Sequence, residues 1–133
     1  MTSDLHQMPV LGDLEVAVLE SLWIDSEATA KQLHEALASE RGISLNTVQS
    51  TLERLHRKGL VSRRKRSHAY RYRAAVGREA LVAGYLKDML QRFGGDPAVS
   101  LAAFVESAED VDETTLDRLE AALHRRRERG ENK

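Results

Sequence analysis

Between residues 46 and 54 the chain carries Asn46, Thr47, Gln49, Ser50 and Arg54, and between residues 64 and 73 it carries Arg64, Lys65, Arg66, Arg71 and Arg73. The two sets suit different chemistry. The amides of Asn and Gln present a donor beside an acceptor, which matches the edge of adenine. An arginine fork matches guanine, and a threonine can touch the methyl group of thymine. The second set is permanent positive charge, suited to phosphate oxygens or to the adjacent minor groove.

The positive charge is local. From Glu53 to Arg73 there are nine Lys and Arg residues against one acid, in a chain whose formal net charge is −1. Such a concentration is the electrostatic footprint of a surface that meets phosphates. An isolated charge run is as a rule a solvated face. This run adjoins a polar helix face, which points to double-stranded DNA.

These side chains need elements that hold them in place. Val48, Leu52 and Leu55 recur at helical spacing and pin one face of a helix to a core, so that Asn46, Thr47, Gln49, Ser50 and Arg54 turn outward. Ser44 offers an N-cap, Gly59 a left-handed C-terminal stop, and Arg57 and Lys58 complement the helix dipole. Leu60-Val61 then starts an extended segment that returns as Ala69 to Arg73, with a basic hairpin tip over Arg63 to His68.

Upstream, Leu11, Leu14, Val18 and Leu22 form a stripe on a first helix of about Asp13 to Ile24, with Trp23 as a core residue and Asp13, Glu15 and Glu20 facing away. Thr29 caps a second helix of about Ala30 to Arg41, which Gly42 ends. The short turn before Ser44 is of the kind that joins the helices of a helix-turn-helix. The fold expected is mainly α with a small β-hairpin wing: a winged helix-turn-helix followed by a helical dimerisation region.

Three domains are expected: a flexible arm over residues 1–10, the winged helix-turn-helix over 11–75, and a helical dimerisation domain over 76–133. In the last, a fourth helix spans Arg78 to Phe93, a short apolar fifth follows Pro97, and a sixth starts near Asp112 and dissolves at Arg125 to Arg129. Leu81, Tyr85, Leu86, Met89, Leu101, Phe104, Leu116, Leu119 and Leu123 supply its apolar faces. Roughly 60 residues make a marginal core, so a second copy of the chain is the expected cover. The alternative is that these helices fold back onto the winged domain.

Other classes are disfavoured. No apolar run is long enough to cross a bilayer, and the first ten residues lack an export signal, so a cytoplasmic protein without membrane insertion is expected. There is no cysteine, no Gly-rich phosphate loop, and no metal-ligand spacing among His6, His34, His56, His68 and His124. No catalytic residue, metal or cofactor is therefore expected. A winged helix that docks on a protein instead of DNA is the competing class, against which the basic wing argues.

The segments LGDLEVAVLESLW, ATAKQLHEAL and ISLNTVQSTLERLHRKGLVSRRKRSHAYRYR, within residues 11–73, resemble the penicillinase repressor family (BlaI/MecI/CopY type). The resemblance implies a homodimeric repressor that binds palindromic operators through its third helix and wing and dimerises through its C-terminal helices. An activator is the runner-up within the DNA-binding class. Some members are released from DNA by proteolysis at an Asn-Phe bond in an apolar helix, downstream of a membrane sensor. The similar place here is Ala103-Phe104, where Ala stands in place of Asn and Phe104 reads first as a core residue. Copper-responsive relatives use a Cys-rich motif that this chain lacks.

Overall fold

The computed structural model describes residues 8–131, in two compact units divided between Met89 and Leu90. The first unit contains α1 (Asp13–Asp25), α2 (Ala30–Arg41), α3 (Leu45–Arg57), β1 (Val61–Arg66), β2 (Ala69–Ala74) and the larger part of α4 (Arg78–Phe93). The second contains the end of α4, α5 (Pro97–Ser107) and α6 (Glu113–Glu131). The winged helix-turn-helix fold expected from the sequence is present.

Local chemistry sets the helix ends. Thr29 Oγ1 accepts from Gln32 N at 3.1 Å while Gln32 Oε1 accepts from Thr29 N at 2.8 Å, a reciprocal cap on α2. Gly42, at φ 60°, ends α2 in the left-handed region, and Ser44 Oγ accepts from Thr47 N at 3.1 Å to start α3. At the far end of α3, Gly59 N donates to His56 O and Leu60 N to Leu55 O, both at 3.0 Å. This pair of bonds needs the positive φ of 78° that Gly59 supplies, and it aims the chain into β1.

The core of the first unit lies between the three helices and the root of the hairpin. Val18, Leu19 and Leu22 of α1, Leu33 of α2, and Val48, Leu52 and Leu55 of α3 are buried, closed at one side by Val61 and Tyr72 of the hairpin. Ala28, before α2, bridges β2 through Ala28 N to Tyr72 O at 3.0 Å and Tyr72 N to Ala28 O at 2.8 Å. Trp23 packs against this core, and its Nε1 donates to Val76 O at 2.9 Å.

Several expectations change. The boundary near residue 75 moves to 89, because Leu81 of α4 is buried in the winged-helix core and Tyr85 packs against it. Of the residues expected at the dimer face, Leu81 is thus covered by its own chain and Tyr85 partly so. Of the supposed arm, residues 1–7 lie outside the described residues, and residues 8–10 are held. Met8 packs on the core, Pro9 O accepts from the Tyr85 hydroxyl, and Val10 O accepts from Lys58 Nζ at 2.7 Å. Glu15 does not face away but is buried, accepting from Gly12 N at 2.9 Å and from Lys58 Nζ at 2.6 Å.

The second unit is sparsely buried within one chain. Asp96 Oδ1 accepts from Ala98 N at 3.0 Å and Pro97 opens α5, while Asp112 Oδ1 accepts from Thr115 N at 2.9 Å to open α6. Helix α6 does not dissolve at Arg125 to Arg129 but runs on to Glu131. Arg and Glu are good helix formers, and His124 lies 3.3 Å from Glu128 one turn on. Phe104 is not core within its own chain: it is 62% exposed, and no α5 residue is buried.

Candidate nucleic-acid interface

Burial divides α3 into two faces. Val48, Thr51, Leu52 and Leu55 are buried, whereas Asn46, Thr47, Gln49, Ser50 and Arg54 are exposed. The buried hydroxyl of Thr51 donates to Thr47 O at 2.8 Å and accepts from Arg54 Nη2 at 3.1 Å. Thr51 thereby ties the Arg54 guanidinium to the flank of α3. Thr47 shares its hydroxyl with Ser44 Oγ at 3.0 Å, so Asn46, Gln49 and Ser50 are the nominated side chains of α3 with no internal tie shown.

The hairpin register sorts the basic residues. Val61 pairs with Ala74, Arg63 with Tyr72 and Lys65 with Tyr70; between them Ser62 pairs with Arg73, Arg64 with Arg71 and Arg66 with Ala69. Side chains paired across an antiparallel ladder share a face, and faces alternate along each strand. The face of Val61 and Tyr72 looks into the core and toward α3, and it carries Arg63 and Lys65. Arg64, Arg66, Arg71 and Arg73 all lie on the other. Of the five wing residues nominated, Lys65 alone is on the α3 side.

Like charges directly opposite one another repel, so Arg64 against Arg71 is a pairing that an anion relieves. Glu27, in the loop between α1 and α2, meets Arg64 Nε at 3.3 Å. On the α3 side, Arg63 Nη1 donates to Glu53 Oε1 at 2.8 Å, and its guanidinium carbon lies 4.4 Å from the Tyr70 ring centre. The hydrogen bond from Arg63 holds the Glu53 carboxyl below its usual range, and the same bond raises Arg63 further.

Between α2, α3 and the hairpin lies a cleft of about 480 Å³ whose lining includes Thr29, Lys31, Gln49, His68, Tyr70 and Tyr72. It brings Gln49 of α3 and His68 and Tyr70 of the hairpin onto one surface. Lys31, Glu27, Glu53, Thr51, Arg63 and Tyr70 were not singled out from sequence. The alternation around Val61 and Tyr72 was the available signal for Arg63 and Tyr70. Glu27 and Thr51 carried none, since their partners follow from tertiary placement and from a local bond.

Glu15 and Lys58 fix the base of α3. Burial alone pushes the Glu15 carboxyl up, but the Gly12 N–H and the Lys58 ammonium outweigh it and leave the carboxyl below its ordinary value. The base of α3 is thereby fastened to the start of α1.

Of the residues nominated for dimerisation, Leu86 and Met89 are about half exposed at 47% and 54%, as are Leu119 and Leu123 at 41% and 56%. Leu101 is exposed and Leu116 half-buried. The Ala103-Phe104 bond lies inside α5, with both residues exposed.

A polar face of α3 beside a basic hairpin, on a three-helix core, defines a winged-helix protein. The sequence matches the penicillinase repressor family over residues 11–125. It is 40% identical over 114 residues to the transcriptional regulator BlaI of Mycobacterium tuberculosis, in strains CDC 1551 / Oshkosh and ATCC 25618 / H37Rv, covering 85% of this chain and 82% of the relative. The solution structure of the DNA binding domain of the repressor BlaI superposes with a TM-score of 0.50 at 24% identity, over 54% of this chain and 88% of that one. The chain belongs to the penicillinase repressor family, a family of transcriptional regulators and not of enzymes.

Proposed function

We propose that the chain is a sequence-specific transcriptional repressor that binds palindromic operators as a homodimer in the cytoplasm. The observation that carries this reading is the exposed set Asn46, Gln49 and Ser50 on α3, flanked by a hairpin with Arg64, Arg66, Arg71 and Arg73 on one face. Helix α3 enters the major groove and presents these side chains, with Thr47 and Arg54, to base edges. Arg66, Arg71 and Arg73, with Lys65, take phosphates, which fixes register and supplies affinity without reading sequence.

Homodimerisation follows from the apolar surface left on α5, α6 and the end of α4. Phe93, Val99, Phe104 and Leu123 are each more than half exposed in the single chain, and a second copy supplies matching apolar faces. Two recognition helices related by a two-fold axis then read two half-sites. Occupying a promoter excludes polymerase, so repression needs no chemistry. Release follows from anything that weakens pairing or DNA contact, including an upstream membrane sensor or protease. Cleavage at Ala103-Phe104 requires α5 to open first, because a helical bond does not fit an extended protease cleft.

Fluorescence anisotropy on the DNA upstream of the protein's own gene, against scrambled DNA over a salt series, tests the reading. Binding about a thousandfold tighter on the native fragment is expected of a specific regulator. A dimer neutralising about eight phosphates gives a slope of log K on log salt near −7. Equal, weak binding to both fragments, with no site recovered by genome-wide selection, overturns it.

A further inference from the structure

Two acids hold the wing from opposite sides. Arg63, on the α3-facing side, bonds Glu53 at 2.8 Å and lies over the Tyr70 ring. Arg64, its neighbour in sequence and therefore on the opposite face, meets Glu27 at 3.3 Å. Consecutive arginines thus fasten the hairpin to two separate elements, the recognition helix and the loop between α1 and α2.

Stability does not account for these pairs. Exposed ion pairs contribute only about 0–1 kcal/mol, and each pair here keeps one side chain half exposed, Glu53 at 50% and Arg64 at 58%, against partners at 23% for Arg63 and 24% for Glu27. On a surface that meets phosphates, each carboxylate has a second effect. It occupies a guanidinium that could take a phosphate oxygen, and it repels phosphates itself. Binding to arbitrary DNA rests almost wholly on phosphate attraction, whereas an operator adds base contacts that fix where α3 sits. A free wing could swing to gather phosphates on any sequence. A braced wing keeps one position relative to α3, the position that a docked recognition helix requires.

We propose that Glu27 and Glu53 are specificity-determining residues: they brace the wing and hold Arg63 and Arg64 back from phosphates, which weakens binding to arbitrary DNA more than binding to the operator. This rests on the reading of the chain as a sequence-specific DNA-binding protein. The acids act as positioning residues, through the arginines they hold.

The test uses the full chain and its E27Q/E53Q variant, with glutamine keeping the size of each side chain while removing its charge. The probes are a duplex recovered from a random-sequence library by selection on the wild-type protein, and a scrambled duplex, both titrated over a salt series. Expected is binding to the scrambled duplex up to about tenfold tighter, with a salt slope steeper by about 0.9 for each arginine that takes up a phosphate. Binding to the selected duplex changes less, so the ratio between the two falls. E79Q, a change of charge on exposed Glu79 in the first turn of α4, leaves the ratio as it was. An unchanged ratio in E27Q/E53Q, or an equal fall in E79Q, overturns the inference alone. If the wild-type protein itself treats both duplexes alike, the reading as a specific regulator fails and the inference falls with it.

Discussion

Lys58 Nζ, just beyond the last turn of α3, lies 2.6 Å from Glu15 Oε2 in the first turn of α1 and 2.7 Å from Val10 O. One ammonium therefore joins α3, α1 and the segment before it. With the Tyr85 hydroxyl on Pro9 O, the same segment is tied to α4. Glu15 has a side chain only 9% exposed, so its charge is held by these partners and not by solvent.

The pH dependence of stability follows from the direction of the Glu15 shift. Its carboxyl lies below the ordinary value of 4.5 in the folded protein, so the unfolded chain takes up the proton first on acidification. The stabilisation is complete above about pH 4.5 and is lost as the pH falls through the folded-state value. Glu15→Gln removes it and costs about 1.5–3 kcal/mol at neutral pH, the range for a hydrogen bond to a charged group. Thermal melts of both proteins between pH 3 and pH 7, taken as about the window of the titration, should converge at the acid end. A constant difference across the series would remove Glu15 as the source.

The structure shows which links were readable in the chain. Thr29, Gly42, Ser44 and Gly59 announced their helix ends because caps act within three or four residues, and each end falls where they indicate. The stripe Val48, Leu52, Leu55 fixed which face of α3 turns outward by periodicity alone. Glu15 was not readable, because its partner Lys58 is 43 residues away and an acid in a first helical turn looks the same whether solvated or paired. Leu81 was not readable either. An apolar stripe shows that a face is covered, and the covering partner is a matter of tertiary placement.

Recognition-helix and wing substitutions should separate by kind. Gln49→Ala removes an amide proposed to read a base and is expected to cost about 1–3 kcal/mol on the operator while relaxing preference at one position. Arg66→Ala and Arg73→Ala, on the outer wing face, should weaken binding on every sequence and flatten the salt slope by about 0.9 for each phosphate left without its arginine. Anisotropy on selected and scrambled duplexes distinguishes them. A wing substitution that altered base preference without touching the salt slope would contradict the division.

The proposed dimerisation would use the apolar faces of the second unit, and there α6 offers the cleanest test. Leu119 and Leu123 lie one turn apart and are 41% and 56% exposed in the single chain. If a second copy covers them, replacing both by Glu forfeits about 0.7–1.5 kcal/mol for each leucine, half the value of a full burial, because the single chain already covers half of each side chain. Sedimentation equilibrium should then report a monomer at concentrations where the parent is dimeric, and operator binding should fall with it. The winged-helix unit, with its own core, should melt unchanged. A variant that stays dimeric would move the interface off this face of α6.

Ser67 lies in the turn that joins the two strands of the wing. It has φ 57°, in the left-handed region, within the two-residue turn that leaves Arg66 paired with Ala69. A turn of this length fixes hairpin register, and a slip of one residue would carry the arginines of one strand, Arg64 and Arg66 or Arg71 and Arg73, to the other face and split the basic side. Ser67→Asn, whose side chain tolerates this backbone, should leave the melting temperature and the salt slope near those of the parent. Ser67→Val places a β-branched residue there and should cost about 1–2 kcal/mol, the usual penalty for a left-handed conformation. Because the strain is relieved by changing the turn, the valine variant should also bind scrambled DNA more weakly, since phosphate attraction carries that binding. A valine variant with parental stability and parental salt slope would show that the turn does not govern the register.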